Sequence, residues 1–207
     1  MKALCLLLLL AIPGLAQNSA SVYGRISPST GAGSGTGYGI GFDIYSDLGP
    51  RFAFDIDLSY QWEPKTYVGD GFTFRAAGVG LVRVAGPFLV GGGIQAGRTS
   101  TSAYTKNQAI PLVSVHFNPS RAIDLYGEWL FRDRATFDNG RGNNTRGFRA
   151  GWKGVFPLSE GWGVYTRVEY TRFWFEQLPG YPNAGTHSGN AVLIGTGFSK
   201  LWKANGH

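Results

Sequence analysis

Residues 51–63 read Arg-Phe-Ala-Phe-Asp-Ile-Asp-Leu-Ser-Tyr-Gln-Trp-Glu, and this pattern is the strongest indication of the fold. Its even-numbered positions, from Phe52 to Trp62, are all aliphatic or aromatic, whereas its odd-numbered positions are small, polar or acidic. Successive side chains of a β-strand point to opposite faces, so the stretch predicts a ribbon with one apolar and one polar face. The pattern recurs along the chain behind a secretory signal. It predicts a β-barrel in an outer membrane, with lipid outside and a hydrated, charge-lined interior.

The first residues have the pattern of a signal peptide. Lys2 precedes an apolar run over 3–12, and small residues end at Ala16, so we expect residues 1–16 to be removed. The run is too short for a spanning helix, which needs about 20 apolar residues. The single cysteine, Cys5, lies in this segment, so no disulfide is expected in the mature chain. Residues 17–207 then form one barrel domain.

Turn residues divide the rest of the chain into ten alternating segments, and no segment has a helical period, so no helix is expected after the signal. Short connections at 48–50, 85–87, 118–121 and 157–161 alternate with longer ones, as in outer-membrane barrels. An antiparallel up-and-down barrel of ten strands is predicted, with eight as the alternative. The predicted strands are 20–27, 37–47, 51–63, 72–84, 88–98, 110–118, 122–132, 147–156, 162–174 and 190–202.

The distribution of charge indicates which face meets lipid, because a lipid-facing Arg or Lys costs about 2–4 kcal/mol at the midplane of the bilayer. One parity is almost free of charge in mid-strand and includes Ile40, Phe74 and Val115. The opposite parity carries balanced acids and bases, which predicts an internal ion-pair network. Its expected members are Asp43, Asp55, Asp57, Arg75, Arg83, Asp124, Glu128, Arg149, Lys153, Arg167 and Glu169, with Arg25, Glu63 and Arg132 on the same parity.

Three features carry a family resemblance: the strand Gly37-Tyr38-Gly39-Ile40-Gly41-Phe42-Asp43-Ile44-Tyr45, the turn Phe117-Asn118-Pro119 and the aromatic end of the last strand. With them the chain resembles the small outer-membrane barrels of the OmpA transmembrane-domain and OmpX-like type over residues 20–202. The resemblance implies that Gly195, Phe198 and Trp202 act as the signal read by the barrel-assembly machinery. A tail, residues 203–207, follows the last aromatic and departs from that pattern.

The inverted interpretation is a soluble secreted barrel of the lipocalin type, with the aromatic face inside. Gly127-Glu128-Trp129 matches the G-x-W motif of lipocalins, but it lies in the seventh predicted strand rather than the first. Six tryptophans and fourteen phenylalanines would also overfill the interior of a small barrel. The membrane interpretation is therefore preferred.

For the candidate catalytic residues, a structural interpretation is better supported than a catalytic one. The pair Asp55 and Asp57 could act as acid and base, but neighbouring arginines offer simpler partners. His187-Ser188 resembles the His-x-Ser of lipid A deacylases with the spacing wrong by one residue, and His116 has no evident Ser or Asp partner. Omptin-type proteases carry an Asp-x-His that this chain lacks. No metal-ligand spacing is present, so we expect no catalytic residue, no cofactor and no metal.

Residues 132–149 are rich in arginine, and Arg134, Arg141 and Arg146 are candidates for contact with lipopolysaccharide phosphates. The net charge of +6 comes from scattered residues, so no nucleic-acid partner is expected. We expect a monomeric, non-enzymatic barrel of the bacterial outer membrane, with a side-chain-filled lumen and an envelope or surface role. The alternatives are a narrow porin-like channel and, less favoured, a lipid A-modifying or proteolytic barrel enzyme.

Overall fold

The computed structural model describes residues 18–31, 35–66, 69–101, 105–120, 122–137, 142–177 and 185–202. They form a closed antiparallel barrel, so the predicted fold class and the count of ten strands are confirmed, and the alternative of eight strands is wrong. The described part contains no helix, hence none long and apolar enough to cross a membrane. The predicted signal peptide lies outside it. The strands are β1 (Asn18–Gly31), β2 (Gly35–Asp47), β3 (Phe52–Thr66), β4 (Gly69–Ala85), β5 (Phe88–Thr101), β6 (Thr105–Ser120), β7 (Ile123–Phe137), β8 (Gly142–Ser159), β9 (Trp162–Gln177) and β10 (Gly185–Trp202).

Each strand pairs with its neighbours in sequence, and β1 pairs with β10 to close the ring. At this closure Asn18 lies opposite Trp202 and Ile26 lies opposite Ile194. Closure leaves no unpaired edge among the described strands, which is the condition for a sheet to cross a lipid bilayer.

The short connections lie at one end of the barrel, which we call the turn end, and the opposite end is the loop end. At the turn end, Gly49, Gly86 and Gly161 have φ values of 114°, 47° and 76°. This left-handed region is easily reached only by glycine, so these residues allow the chain to reverse within a few positions. The start of β1 and the end of β10 also lie at the turn end.

Most strands extend further toward the loop end than the sequence predicts. Strand β6 begins at Thr105 instead of 110, β8 at Gly142 instead of 147, and β10 at Gly185 instead of 190. The Gly-, Asn- and Thr-rich segments there have the composition of loops, yet they continue the hydrogen-bonded ladders. As a consequence His187, predicted in a loop, lies in β10 opposite Phe175.

The outer face is apolar, as the alternation predicts. Phe52, Leu58, Tyr60 and Trp62 of β3 are all exposed on the outside, and the neighbouring strands continue this band. The exposed apolar residues of the other strands include Val22, Ile40, Phe74, Val90, Ile94, Val113, Val115, Leu125, Trp129, Phe131, Tyr170, Ile194 and Phe198. The inner face carries the buried charges and forms the candidate site.

Candidate functional site: the barrel lumen

Arg167 of β9 lies at the centre of the predicted charge network and is almost fully buried. Its guanidinium donates to the carboxylate of Asp57, to Oε2 of Glu169 at 2.6 Å and to the hydroxyl oxygen of Tyr126 at 3.1 Å. A further contact joins it to the hydroxyl of Tyr23 at 3.2 Å. Five N–H donors in a fixed fork suit one arginine to several acceptors, and so Arg167 ties together strands on both sides of the lumen.

Two sets of ion pairs cross the full width of the barrel. Arg75 of β4 donates to Asp57 at 3.0 Å and to Glu169 of β9 at 3.4 Å. Lys153 of β8 donates to Asp55 of β3 at 2.6 Å and to Asp43 of β2 at 3.0 Å. Strands β4 and β9 are five positions apart in the ring of ten, as are β3 and β8. These pairs therefore join diametrically opposite walls.

The remaining members of the predicted network pair with residues at most three strands away in the ring. Arg149 of β8 donates through Nε to Glu128 of the adjacent β7 at 2.6 Å and through Nη1 to Gln95 at 2.7 Å. Arg83 lies at the turn end, partly exposed, with Asp47 3.8 Å away and the carbonyl oxygen of Gly86 at 2.9 Å. It belongs to the rim of the barrel rather than to the network.

A tyrosine pair packs beside this network. The rings of Tyr23 and Tyr165 are 4.9 Å apart, and both side chains are buried. Gly41 and Gly197 lie directly opposite Tyr23 on the two flanking strands. A Cβ at Gly41 would collide with the Tyr23 ring. The inner glycines thus make room for an aromatic ring.

The lumen is not lined by charge throughout. Inward-facing aliphatic residues of β3 to β7 form a buried cluster that packs against Tyr45. This differs from the predicted hydrated, charge-lined interior, because the polar parity on these strands also carries leucine, isoleucine and valine. The cluster consists of Ala53, Val79, Leu81, Leu89, Ile110, Leu112 and Leu130.

His116 has two partners that the sequence does not reveal. Its Nε2 lies 2.7 Å from Oγ of Ser114, and its Nδ1 lies 2.8 Å from Oδ2 of Asp124. Ser114 precedes His116 by two positions on the same face of β6, and Asp124 lies on β7 across the turn. The expectation that His116 lacks a Ser or Asp partner is therefore wrong. The two-residue spacing and the hairpin register are the signals that could have found this arrangement.

One cavity lies in the lumen at the turn end, and another lies on the outer face near the loop end. The one at the turn end has a volume of about 60 Å³, and the residues that line it include Tyr45, Asn118, Asp124, Lys153 and Tyr165. The other, of about 200 Å³, is lined by Arg132, Asn144, Arg146, Trp174, Glu176 and Thr186. The network and the aliphatic cluster occupy the space between the ends.

Every described strand thus pairs in a closed ring with lipophilic side chains outside and paired charges inside. The chain has the fold of a small outer-membrane β-barrel. No protein-family model and no curated protein matches its sequence. Solved structures similar to this barrel include OmpT with loop L8 deleted, an outer membrane protein of Vibrio cholerae, with 12% identity over 81% of this chain and 54% of that chain, at a TM-score of 0.42.

Two other similar structures match over most of their length. Neisserial surface protein A has 9% identity over 91% of this chain and 99% of its own, at a TM-score of 0.44. The toluene transporter TodX of Pseudomonas putida has 7% identity over 91% and 90%, also at 0.44. By contrast, this chain spans slightly more than half of the OmpT structures, 54–57%. These likenesses concern the fold.

Most of the other predicted residues that the structure describes lie on the outer face or near the ends of the barrel. Arg146 is exposed on the outer parity of β8, whereas Arg134 is described only as part of β7 and Arg141 lies outside the described residues. Arg132 is exposed and donates to Glu176 at 2.8 Å, because the β7 register shifts between Leu130 and Asp133. Of the residues predicted as an assembly signal, Phe198 and Trp202 are exposed on β10, and Gly195 is buried against Tyr23.

Proposed function

We propose that this chain is an integral barrel of the bacterial outer membrane whose lumen is closed to ion flow. The observation that carries the proposal is the pairing of opposite walls by Arg75 with Glu169 and by Lys153 with Asp55. Each pair must break before an ion can pass, and a broken buried pair leaves an uncompensated charge. The barrel would then serve as a stable frame that presents its loop end at the cell surface, where we infer an envelope or adhesive role.

Conductance in planar bilayers tests this closure. The wild-type barrel should show no steady single-channel current, and an Arg75→Ala variant, which removes one bridge across the lumen, should show flickering current. Arg83→Ala at the rim is the matched control and should resemble the wild type. Steady, salt-proportional current in the wild-type barrel would refute the closed lumen and favour the narrow channel instead.

We further propose that the barrel has no enzymatic activity. Ser114, His116 and Asp124 have the hydrogen bonds of a nucleophilic relay, but Ser114 is only 2% exposed. The cavity at the turn end is lined by Asp124 and not by Ser114 or His116, so a substrate at the described cavity would not reach the hydroxyl. A nucleophile must meet its substrate, which favours a structural role for the three residues.

Labelling with a fluorophosphonate, which reacts with activated serines, tests this proposal. The folded barrel in detergent should take up no probe above the level of a Ser114→Ala variant. Labelling of the wild type that the Ser114→Ala substitution abolishes would show an accessible nucleophile and overturn the assignment.

The partner we propose at the loop end is lipopolysaccharide. Arg146 and Arg172 lie on the outer parity of β8 and β9, and their guanidinium carbons lie 6.0 and 5.2 Å from the centroid of the Trp174 ring. Arginine on a lipid-facing surface needs an anion, and guanidinium groups bind phosphate with two parallel hydrogen bonds. The phosphates of the outer leaflet provide such anions at this level.

Added lipopolysaccharide should raise the temperature at which the barrel loses its compact form on SDS gels. The rise should shrink in an Arg146→Gln/Arg172→Gln variant and persist in Arg51→Gln, whose arginine is exposed at the turn end. Dephosphorylated lipid should stabilise the wild type less. An equal rise for both variants would exclude this phosphate site.

A further inference from the structure

The turn end of the lumen brings together three residues that can ligate a metal ion. Asp55 of β3, His116 of β6 and Asp124 of β7 each offer one ligand atom, and these atoms lie within 4.8 Å of one another. We propose that they form a binding site for a divalent transition-metal ion, with Zn²⁺ the best match. This inference goes beyond the proposed closed barrel and does not depend on it.

Two carboxylate oxygens in this cluster lack the partner that a cation would supply. Oδ1 of Asp124 and Oδ1 of Asp55 are buried and have no hydrogen-bond partner. Asp124 is only 7% exposed. A buried carboxylate oxygen without a donor costs free energy, and nearly all such atoms in proteins are satisfied. Coordination to a metal ion would satisfy both oxygens at once.

The other atoms of the ligands are already held in position. Lys153 donates to Oδ2 of Asp55 at 2.6 Å, which leaves Oδ1 available. When Nε2 of His116 carries the proton and donates to Ser114, the lone pair of Nδ1 is free to bind a metal. Metal-binding histidines are commonly oriented by a hydrogen bond from their second ring nitrogen. The ion would lie between Nδ1 and Asp124, which now face each other across 2.8 Å.

The charges of this region favour a divalent cation. The carboxylates of Asp43 and Asp55 share Lys153, while Asp124 contacts His116. Arg167 is 4.0 Å from Asp43, but its shorter contacts are with other acids. Three carboxylates around one lysine leave an excess of negative charge, and a divalent ion would neutralise it in a region of low dielectric.

The ligand types indicate which ion would bind. One imidazole and two carboxylates suit Zn²⁺, whereas Ca²⁺ requires six to eight oxygen ligands. Zinc sites with three protein ligands keep a position for water. The cavity of about 60 Å³ lined by Asp124 and Lys153 has room for such a water molecule.

The test uses the untagged full barrel, purified from outer membranes, stripped with chelator and titrated with ZnCl₂. We expect about one ion per chain, and at least tenfold weaker affinity in both Asp124→Asn and His116→Gln. The matched controls are Asp47→Asn, also at the turn end, and His187→Gln, at the loop end, and both should bind like the wild type. Only protein that shifts mobility on heating is used, so that every variant compared is folded.

If the variants do not fold, NMR of the wild-type barrel with Co²⁺ tests the proposed metal site. Paramagnetic Co²⁺ should shift the NMR signals of one histidine ring, and that ring should remain shifted in His187→Gln. Failure of the stripped wild type to bind Zn²⁺ would overturn the proposal. So would equal weakening in the two control variants, or Co²⁺ shifts confined to His187 or His207.

Discussion

At the scale of single residues, Asp57 joins three members of the buried cluster in the lumen. It accepts hydrogen bonds from Tyr23 at 3.1 Å, from Arg75 at 3.0 Å and from Arg167. Its own strand carries Asp55 two positions away, so the two acids of the Phe-Asp-Ile-Asp segment serve different cations. Asp55 holds Lys153 and Asp57 holds the two arginines, which explains how like charges at this spacing coexist.

Replacement of this acid should be costly. Asp57→Asn leaves the guanidinium groups of Arg75 and Arg167 to share the single carboxylate of Glu169 inside the barrel, and we expect a loss of about 3–5 kcal/mol in the free energy of unfolding. Urea titration of the barrel refolded into lipid vesicles measures it. Asp47→Asn at the partly exposed rim should cost less than about 1 kcal/mol. Similar small losses for both variants would mean that the network does not stabilise the fold.

At the scale of strands, the fit between β1 and β2 depends on the missing side chain of Gly41. A Cβ there would overlap the Tyr23 ring, whereas a Cβ at Gly80 of β4 would meet no atom within 4 Å. Glycine in a strand often marks such a close approach. The two positions therefore offer a matched comparison within one barrel.

We predict that Gly41→Ala lowers the free energy of unfolding by about 1–3 kcal/mol, the usual cost of overpacking. Gly80→Ala should be neutral or slightly stabilising, because alanine restricts the unfolded chain. Both are measured by urea titration in vesicles. If the two substitutions had the same effect, the tight packing of Tyr23 against β2 would be refuted.

The outer face of β3 supports a second prediction for a strand. Leu58 lies near the middle of the strand and Phe52 at its turn end, and both are exposed on the outside. Leu58→Arg should cost about 2–4 kcal/mol in a bilayer, and Phe52→Arg about 0–1 kcal/mol. The comparison is made in lipid vesicles. If both substitutions lowered the free energy of unfolding equally, depth in the membrane would not determine the cost of an arginine on this face.

At the scale of the whole molecule, closure of β1 against β10 leaves every described strand with two partners. Opening such a ring requires several hydrogen bonds to break together with the charge pairs inside. We therefore expect the protein from an outer-membrane fraction to keep a compact, faster-migrating form in SDS until it is boiled. A protein found free in the periplasm, with no change in mobility on heating, would contradict the membrane assignment.

Fold class, strand number and the two faces of the barrel could be predicted from the sequence. Alternation over 51–63 predicted an apolar outside and a polar inside for β3, and the structure has both. These features follow from the fixed period of two in a strand and from turn residues such as Gly49 and Gly86, both of which are local properties. The same local pattern predicts the inner face for Asp57, Lys153 and Arg167, which are buried in the structure.

Contacts between inner residues of distant strands could not be predicted from the sequence. Arg75 reaches Glu169, and Asp55 approaches His116, only because the ring closes and brings distant strands within the length of a side chain. Which residues pair across the lumen depends on the registers of all ten strands together. No spacing between residues in the sequence specifies that combination. The aliphatic cluster around Leu81 arises for the same reason: space left by the charge network is filled by whichever inner side chains fit it.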